Sequence, residues 1–152
     1  MKVAFIGDAH LSQGLYSHRP LIRGDAGRAL MLIKDSLLVT EGLSAIVFAG
    51  DVFDTRHPTS LDVLDLQRFC GCFSRRGIPV YSIQGNHDLC EFSWASIAGA
   101  ESLHGETKRV GNLYISGYDY AQGTKQKVMQ EWMQTLDTDI LVLHQSLSVL
   151  AP

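Results

Sequence analysis

VYSIQGNHD, residues 80–88, is an apolar, strand-type run that ends in a turn carrying Asn86, His87 and Asp88. Open α/β sheets place their chemistry just beyond the carboxyl ends of strands. Three other runs end in the same way. Residues 2–7 lead into Asp8-Ala9-His10, residues 44–49 into Gly50-Asp51-Val52-Phe53-Asp54, and residues 140–143 into His144. Each apolar run thus delivers Asp, Asn or His at the same end, and the expectation is that these tips form one binuclear metal site.

The intervening segments have helical spacing. Asp25 is a plausible N-cap for a helix burying Ala26, Ala29, Leu30, Ile33 and Leu37, with Gly42 placed to stop it. Thr59 or Ser60 can cap a second helix whose buried face is marked by Leu61, Leu64, Phe69 and Phe73 and which ends at Arg75-Arg76-Gly77. Residues 78–83 form the third strand, and the βαβαβ order predicts a parallel sheet with right-handed crossovers. Beyond Leu89 the pattern changes. A short helix is expected over residues 92–98. A hairpin joins residues 107–110 to 113–118 through Gly111-Asn112. A helix over residues 124–136 turns Val128, Met129, Trp132, Met133 and Leu136 to one side, as core rather than cofactor contacts.

With 152 residues and 45% hydrophobic content, the chain suits one globular domain. A net charge of −3 is not the balance of a protein that holds nucleic acid by electrostatics alone, although bound divalent cations would change the local sign. The odd number of cysteines, 3, argues against a disulfide framework and for a reducing compartment. Cys70 and Cys72 have no second thiol pair to complete a zinc site. The apolar run at the N-terminus is too short for a signal peptide or membrane span, so the expected location is cytoplasmic, with no membrane association.

The chemistry follows from the residue types. Asp8 and His10, two apart, would point to one side of an extended segment. Asp51 can bridge two cations, Asn86 offers a carbonyl oxygen and His144 an imidazole nitrogen. Such mixed sets suit manganese, iron or zinc without thiolate. A metal pair about 3.5–4 Å apart lowers the pKa of bound water towards ~7 and suits attack on phosphorus. His87 is then the candidate general acid, with Asp54 as the carboxylate that orients it. Gly85-Asn86 reads as a turn in which both residues tolerate positive φ. His18, His57 and His104 are expected at the surface or in loops.

Asp8-x-His10, Gly50-Asp51-x-x-Asp54 and Gly85-Asn86-His87-Asp88, in this order, resemble the signature of calcineurin-like metallophosphoesterases. Gly50-Asp51-Val52-Phe53-Asp54-Thr55-Arg56 before a helix, then Ile83-Gln84-Gly85-Asn86-His87-Asp88, resembles the DNA-repair nuclease branch of SbcD-type and phage recombination nuclease subunits. Leu143-His144-Gln145 resembles that branch's later metal-histidine motif. The resemblance implies an α/β fold, the α-β-β-α sandwich of the family. It implies a manganese-dependent DNA exo- and endonuclease, with iron, zinc or magnesium as alternatives. Partners would be DNA, a coiled-coil ABC-type ATPase subunit and a second copy in a homodimer. By motif, Asp8, His10, Asp51, Asn86 and His144 match metal ligands and His87 the catalytic acid.

The family's Gly-His-x-His motif, downstream of the position of His144, has no counterpart here. The expectation is therefore that residues 1–152 are an N-terminal portion of a longer enzyme, a shortened relative or half of a split protein, with a sandwich incomplete at its C-terminal end and reduced or absent activity in isolation. The alternatives are a phosphatase or phosphodiesterase for non-DNA substrates, or a shortened scaffold domain.

Overall fold

The computed structural model describes residues 1–14, 18, 19 and 21–145. Its elements run β1 (Lys2–Ile6), α1 (Asp25–Leu38), β2 (Leu43–Ala49), α2 (Ser60–Ser74), β3 (Val80–Ile83), α3 (Trp94–Ile97), β4 (Glu101–Ser102), β5 (Glu106–Val110), β6 (Leu113–Tyr118), α4 (Thr124–Met133) and β7 (Ile140–Leu143). They build two sheets. One has order β1-β2-β3-β4 and is parallel throughout. The other has order β5-β6-β7, with β5 antiparallel and β7 parallel to β6. The mixed α/β architecture is the one expected.

The central strands are apolar throughout because both their faces are covered. Ile46 and Phe48 of β2 and Val80 of β3 enter a core shared with Leu30 of α1 and Leu66, Phe69 and Phe73 of α2. The alternate residues Ala45, Val47, Tyr81 and Ile83 face the second sheet and pack with Leu103, Val110, Ile115 and Val142. The period of two along each strand thus separates a helix-facing core from a sheet-to-sheet core. Phe48, Phe69 and Phe73 form a ladder of rings with centroids 5.4 and 5.0 Å apart. Tyr118 at the end of β6 meets Trp132 of α4 at 5.1 Å.

Several local expectations are corrected. Gly24, not Asp25, is the N-cap of α1, and Asp25 is the first helical residue, where its charge suits the helix dipole. Gly42, with φ 75°, shapes the turn into β2, since α1 has already ended at Leu38. Ala29 and Ile33 lie on the outer side of α1, and Gly27 and Leu30 on the inner. In α2, Leu61 and Leu64 are exposed and Leu66, Phe69, Cys70 and Phe73 are buried. Both helices carry apolar residues on two sides, so spacing alone did not select the buried stripe. Val128 is likewise exposed, and α4 ends at Met133. The first strand is not fully buried: Phe5 is 47% exposed, because β1 is an edge of its sheet. Strand β3 begins at Val80, and β4 was too short to show a period. Thr59 does cap α2, in a reciprocal capping box with Asp62.

Candidate metal centre

The loops after β1 and β2 are tied together by backbone bonds. His10 N–H donates to the Asp51 carbonyl at 2.9 Å, Leu11 N–H to that of Val52 at 2.9 Å, and Asp54 N–H to that of Leu11 at 3.3 Å. This clamp holds Asp8 and His10 against Asp51. Asp8, His10 and Asp51 have φ of 51°, 43° and 47°, and are the non-glycine residues with positive φ among the described residues. Backbone held in sparsely populated regions costs roughly 1–3 kcal/mol per residue and gathers where function demands it. Asp8 and His10 therefore converge through left-handed kinks, not through the alternation of an extended segment.

Asp51 is the centre of the arrangement and only 3% exposed. Its Oδ1 accepts the His87 backbone N–H at 2.9 Å. Its Oδ2 lies 3.3 Å from His144 Nε2 and 3.7 Å from His10 Nε2. The Asp8 Oδ1 to His10 Nε2 distance is 3.9 Å. His144 comes from the end of β7, so the second sheet completes a site begun by the first. Asn86 Oδ1 stands 3.2 Å from His144 Nε2.

The tautomers follow from the acceptors. His144 Nδ1 lies 3.1 Å from the Ala49 carbonyl oxygen, which only accepts, so Nδ1 carries the proton. His10 Nδ1 lies 3.1 Å from Asp54 Oδ1, a carboxylate oxygen, and carries a proton for the same reason. Each ring then turns its Nε2 towards Asp51 Oδ2 from its own side. A cation would find these nitrogens and the Asp51 oxygen as donors, and an oxygen acceptor behind a ligating imidazole is the usual support for metal binding. Donor atoms of Asp8, Asp51 and His144 lie within 4.8 Å of one another, and so do those of His10, Asp54 and His87. The donor chemistry thus fits divalent cations.

All the sequence-predicted residues, Asp8, His10, Asp51, Asp54, Asn86, His87 and His144, meet here. Asp54 stands between two histidines. Its carboxylate is hydrogen-bonded to His10, while His87 Nδ1 contacts the Asp54 backbone carbonyl at 3.2 Å and the carboxylate only at 3.9 Å. The rings of His10 and His87 meet edge to face at 4.8 Å. Cys70 plays no part: it is buried in the helix-facing core, and burial pushes its thiol up to about 12.

Gly85 differs from its sequence reading. It has no positive φ. An added Cβ would instead overlap Asp51 Oδ1 and the Asp51 amide nitrogen. Gly50, with φ 94°, combines both constraints, since its Cβ would lie 2.6 Å from His144 Cγ.

Two supporting carboxylates emerge from the structure. Asp88 is buried and accepts three backbone N–H groups, Gly85 at 2.7 Å on Oδ1, and Val52 at 2.8 Å and Phe53 at 3.2 Å on Oδ2. Burial pushes its carboxyl above the ordinary range, and the three donors partly offset this. Asp88→Asn turns an NH2 group towards at least one of these donors. The expected loss is about 2 kcal/mol of stability, read as a lower urea midpoint with unchanged slope. Asp119, just past β6, accepts Gln84 N–H at 2.7 Å and Gln84 Nε2 at 3.1 Å, while Tyr120 N–H donates to the Gln84 carbonyl at 2.8 Å. This pair pins the turn holding Asn86 and His87 to the second sheet. The strand-end rule that found the other tips would have found Asp119 had it been applied to β6.

A cavity of about 430 Å³ opens beside these donors, lined by Asn86, Tyr120, Leu143, His144 and Gln145. A hollow of about 520 Å³ along α1 is lined by none of the site residues.

The comparisons with known proteins agree with this geometry. A family model described as calcineurin-like phosphoesterase matches residues 1–149. Similar curated proteins include the DNA double-strand break repair protein Mre11 of Methanosarcina mazei, 30% identical over 131 residues, covering 82% of this chain and 21% of that protein. The Mre11 of Methanosarcina acetivorans is 31% identical over 131 residues, with the same 82% and 21% coverage. That of Archaeoglobus fulgidus is 24% identical over 173 residues, covering 96% of this chain and 39% of the relative. The chain thus spans 21% to 39% of the length of these relatives. Among solved structures, the nuclease MPE of Pseudomonas putida shares the fold with a TM-score of 0.53 at 14% identity, over 80% of this chain and 56% of that one. With nearly its whole length matched and its strand tips converging on Asp51, the chain belongs to the calcineurin-like phosphoesterase family.

Proposed function

We propose that this chain carries the hydrolytic site of a metal-dependent DNA exo/endonuclease acting in repair or recombination. One observation carries the reading: two imidazoles, each with Nδ1 within hydrogen-bond distance of an oxygen acceptor, bring their Nε2 atoms to 3.3 and 3.7 Å from the same Asp51 carboxylate oxygen. In this reading Asp8, His10, Asp51, Asn86 and His144 are the metal ligands, and manganese is the metal, with iron, zinc or magnesium as alternatives. The ions supply positive charge at the phosphate and lower the pKa of water towards ~7. The chain's own residues do the rest. Asp51, whose Oδ2 faces both His144 and His10, would serve as a ligand to both ions. His87, exposed and held through Nδ1 by the Asp54 carbonyl, presents its Nε2–H to the leaving oxygen and protonates it as the P–O bond breaks. Asp54, on the other side, keeps His10 in the tautomer that binds metal.

The similarity to DNA double-strand break repair proteins supports DNA as substrate; a coiled-coil ABC-type ATPase partner and a homodimeric assembly belong to the same proposal. Among the described residues no helix is long and apolar enough to cross a membrane. The test compares single- and double-stranded DNA with bis-p-nitrophenyl phosphate and p-nitrophenyl phosphate, with manganese added. Cleavage of DNA and of the diester is expected, at the reduced rate that the missing Gly-His-x-His motif implies for the isolated chain. Cleavage of the monoester alone removes the nuclease reading and leaves a phosphatase.

A further inference from the structure

Beside the metal centre lies a second cavity, of about 450 Å³, between the end of β6, the start of α4 and the loop after β3. Tyr120 lines both this cavity and the one that reaches Asn86 and His144. The two hollows therefore share a wall. We propose that this second cavity is a nucleobase cleft, which takes the base of the nucleotide next to the phosphate held at the metal centre. The proposal rests on the nuclease reading for its place in catalysis, and on the cavity's own chemistry for its ligand.

The lining has what a base needs. His104 and Tyr118 contact each other at a centroid distance of 4.4 Å, and Tyr118 continues to Trp132 at 5.1 Å. His104, Tyr118 and Tyr120 all line the cleft, Tyr120 on the side shared with the metal-side hollow, and aromatic rings are the usual means by which an unpaired base is held. The polar groups are fixed in advance. His104 Nδ1 accepts the Asp119 backbone N–H at 3.1 Å, so the neutral ring carries its proton on Nε2 as a donor. Asp119 is held by both donors of Gln84 and keeps acceptor capacity. Asp119 and Glu91 put carboxylates in the lining, which suits the amino group of a base and repels a bare phosphate. Lys125 adds a cation to this lining, as a donor to the ring nitrogens or carbonyls of a base. A cavity of this size is in the range of small-ligand sites, roughly 300–1,000 Å³.

The test titrates the metal-free 152-residue protein with 2′-deoxyadenosine 5′-monophosphate, using 2-deoxyribose 5-phosphate as the base-free control. The nucleotide should bind more tightly than the sugar phosphate and should shift the Val128 methyl resonances, which report on the cavity without any substitution. His104→Ala and Tyr120→Ala should each weaken nucleotide binding by at least about fivefold. His104 is a surface side chain, so its removal leaves the core intact. Equal binding of the two phosphates, unmoved Val128 methyls, or unchanged affinity in both variants overturns the cleft. Hydrolysis of bis-p-nitrophenyl phosphate with manganese, measured on the same protein, reports on the metal centre alone. Its absence, together with absent manganese binding and with nucleotide binding intact, sinks the nuclease reading and keeps the cleft. Its presence without nucleotide binding sinks the cleft and keeps the phosphodiesterase.

Discussion

Gly85→Ala should abolish metal-dependent hydrolysis and lower stability by about 1–3 kcal/mol or more. The methyl has nowhere to go: it would overlap the Asp51 carboxylate oxygen and amide nitrogen, and lie 2.7 Å from Asp51 Cγ. Overpacking of a tight site costs about that much when neighbours can shift. Here the neighbour is the backbone and carboxylate of the proposed bridging ligand, whose Oδ1 is already fixed by the His87 amide. Relief would move Asp51 away from both imidazoles, so the loss of metal should exceed the loss of fold. Circular dichroism with a manganese titration separates the two. A folded Gly85→Ala protein that binds manganese as the parent does would show that the close contact does not govern the site.

His87→Gln should slow DNA cleavage by about 10²–10⁴-fold, the range of a lost general acid. The loss should be much smaller on bis-p-nitrophenyl phosphate, because p-nitrophenolate leaves without needing a proton. The backbone N–H of residue 87 still reaches Asp51 in the variant, so the metal ligands keep their support. Steady-state rates on the two substrates give the answer. An equal fall on both would mean that His87 positions substrate or metal and is not the acid.

The strands that carry this chemistry were legible because both faces of β2 and β3 are covered, which demands unbroken apolar runs between polar tips. The tips were legible as a set: Asp51, Asn86 and His144 close around one point although His144 belongs to the other sheet. What sequence spacing did not reveal has physical causes. The left-handed kinks at Asp8, His10 and Asp51 are imposed by the clamp between two loops far apart in sequence. The need for glycine at position 85 arises from the closeness of Asp51, a tertiary contact that turn propensity does not encode. Phe5 lies in an apolar strand and is nonetheless 47% exposed, because β1 stands at the sheet edge. Asp119 was hidden because β6 sits in a hairpin and its end did not resemble a parallel strand tip, although β7 runs parallel beside it.

Manganese binding to the protein tests the central claim most directly, by electron paramagnetic resonance at increasing metal with Asp51→Asn as the comparison. The account predicts a spin-coupled pair of ions at about 3.5–4 Å separation, lost together in Asp51→Asn because one carboxylate serves both. A spectrum of isolated ions only, or coupled binding that survives Asp51→Asn, would contradict it.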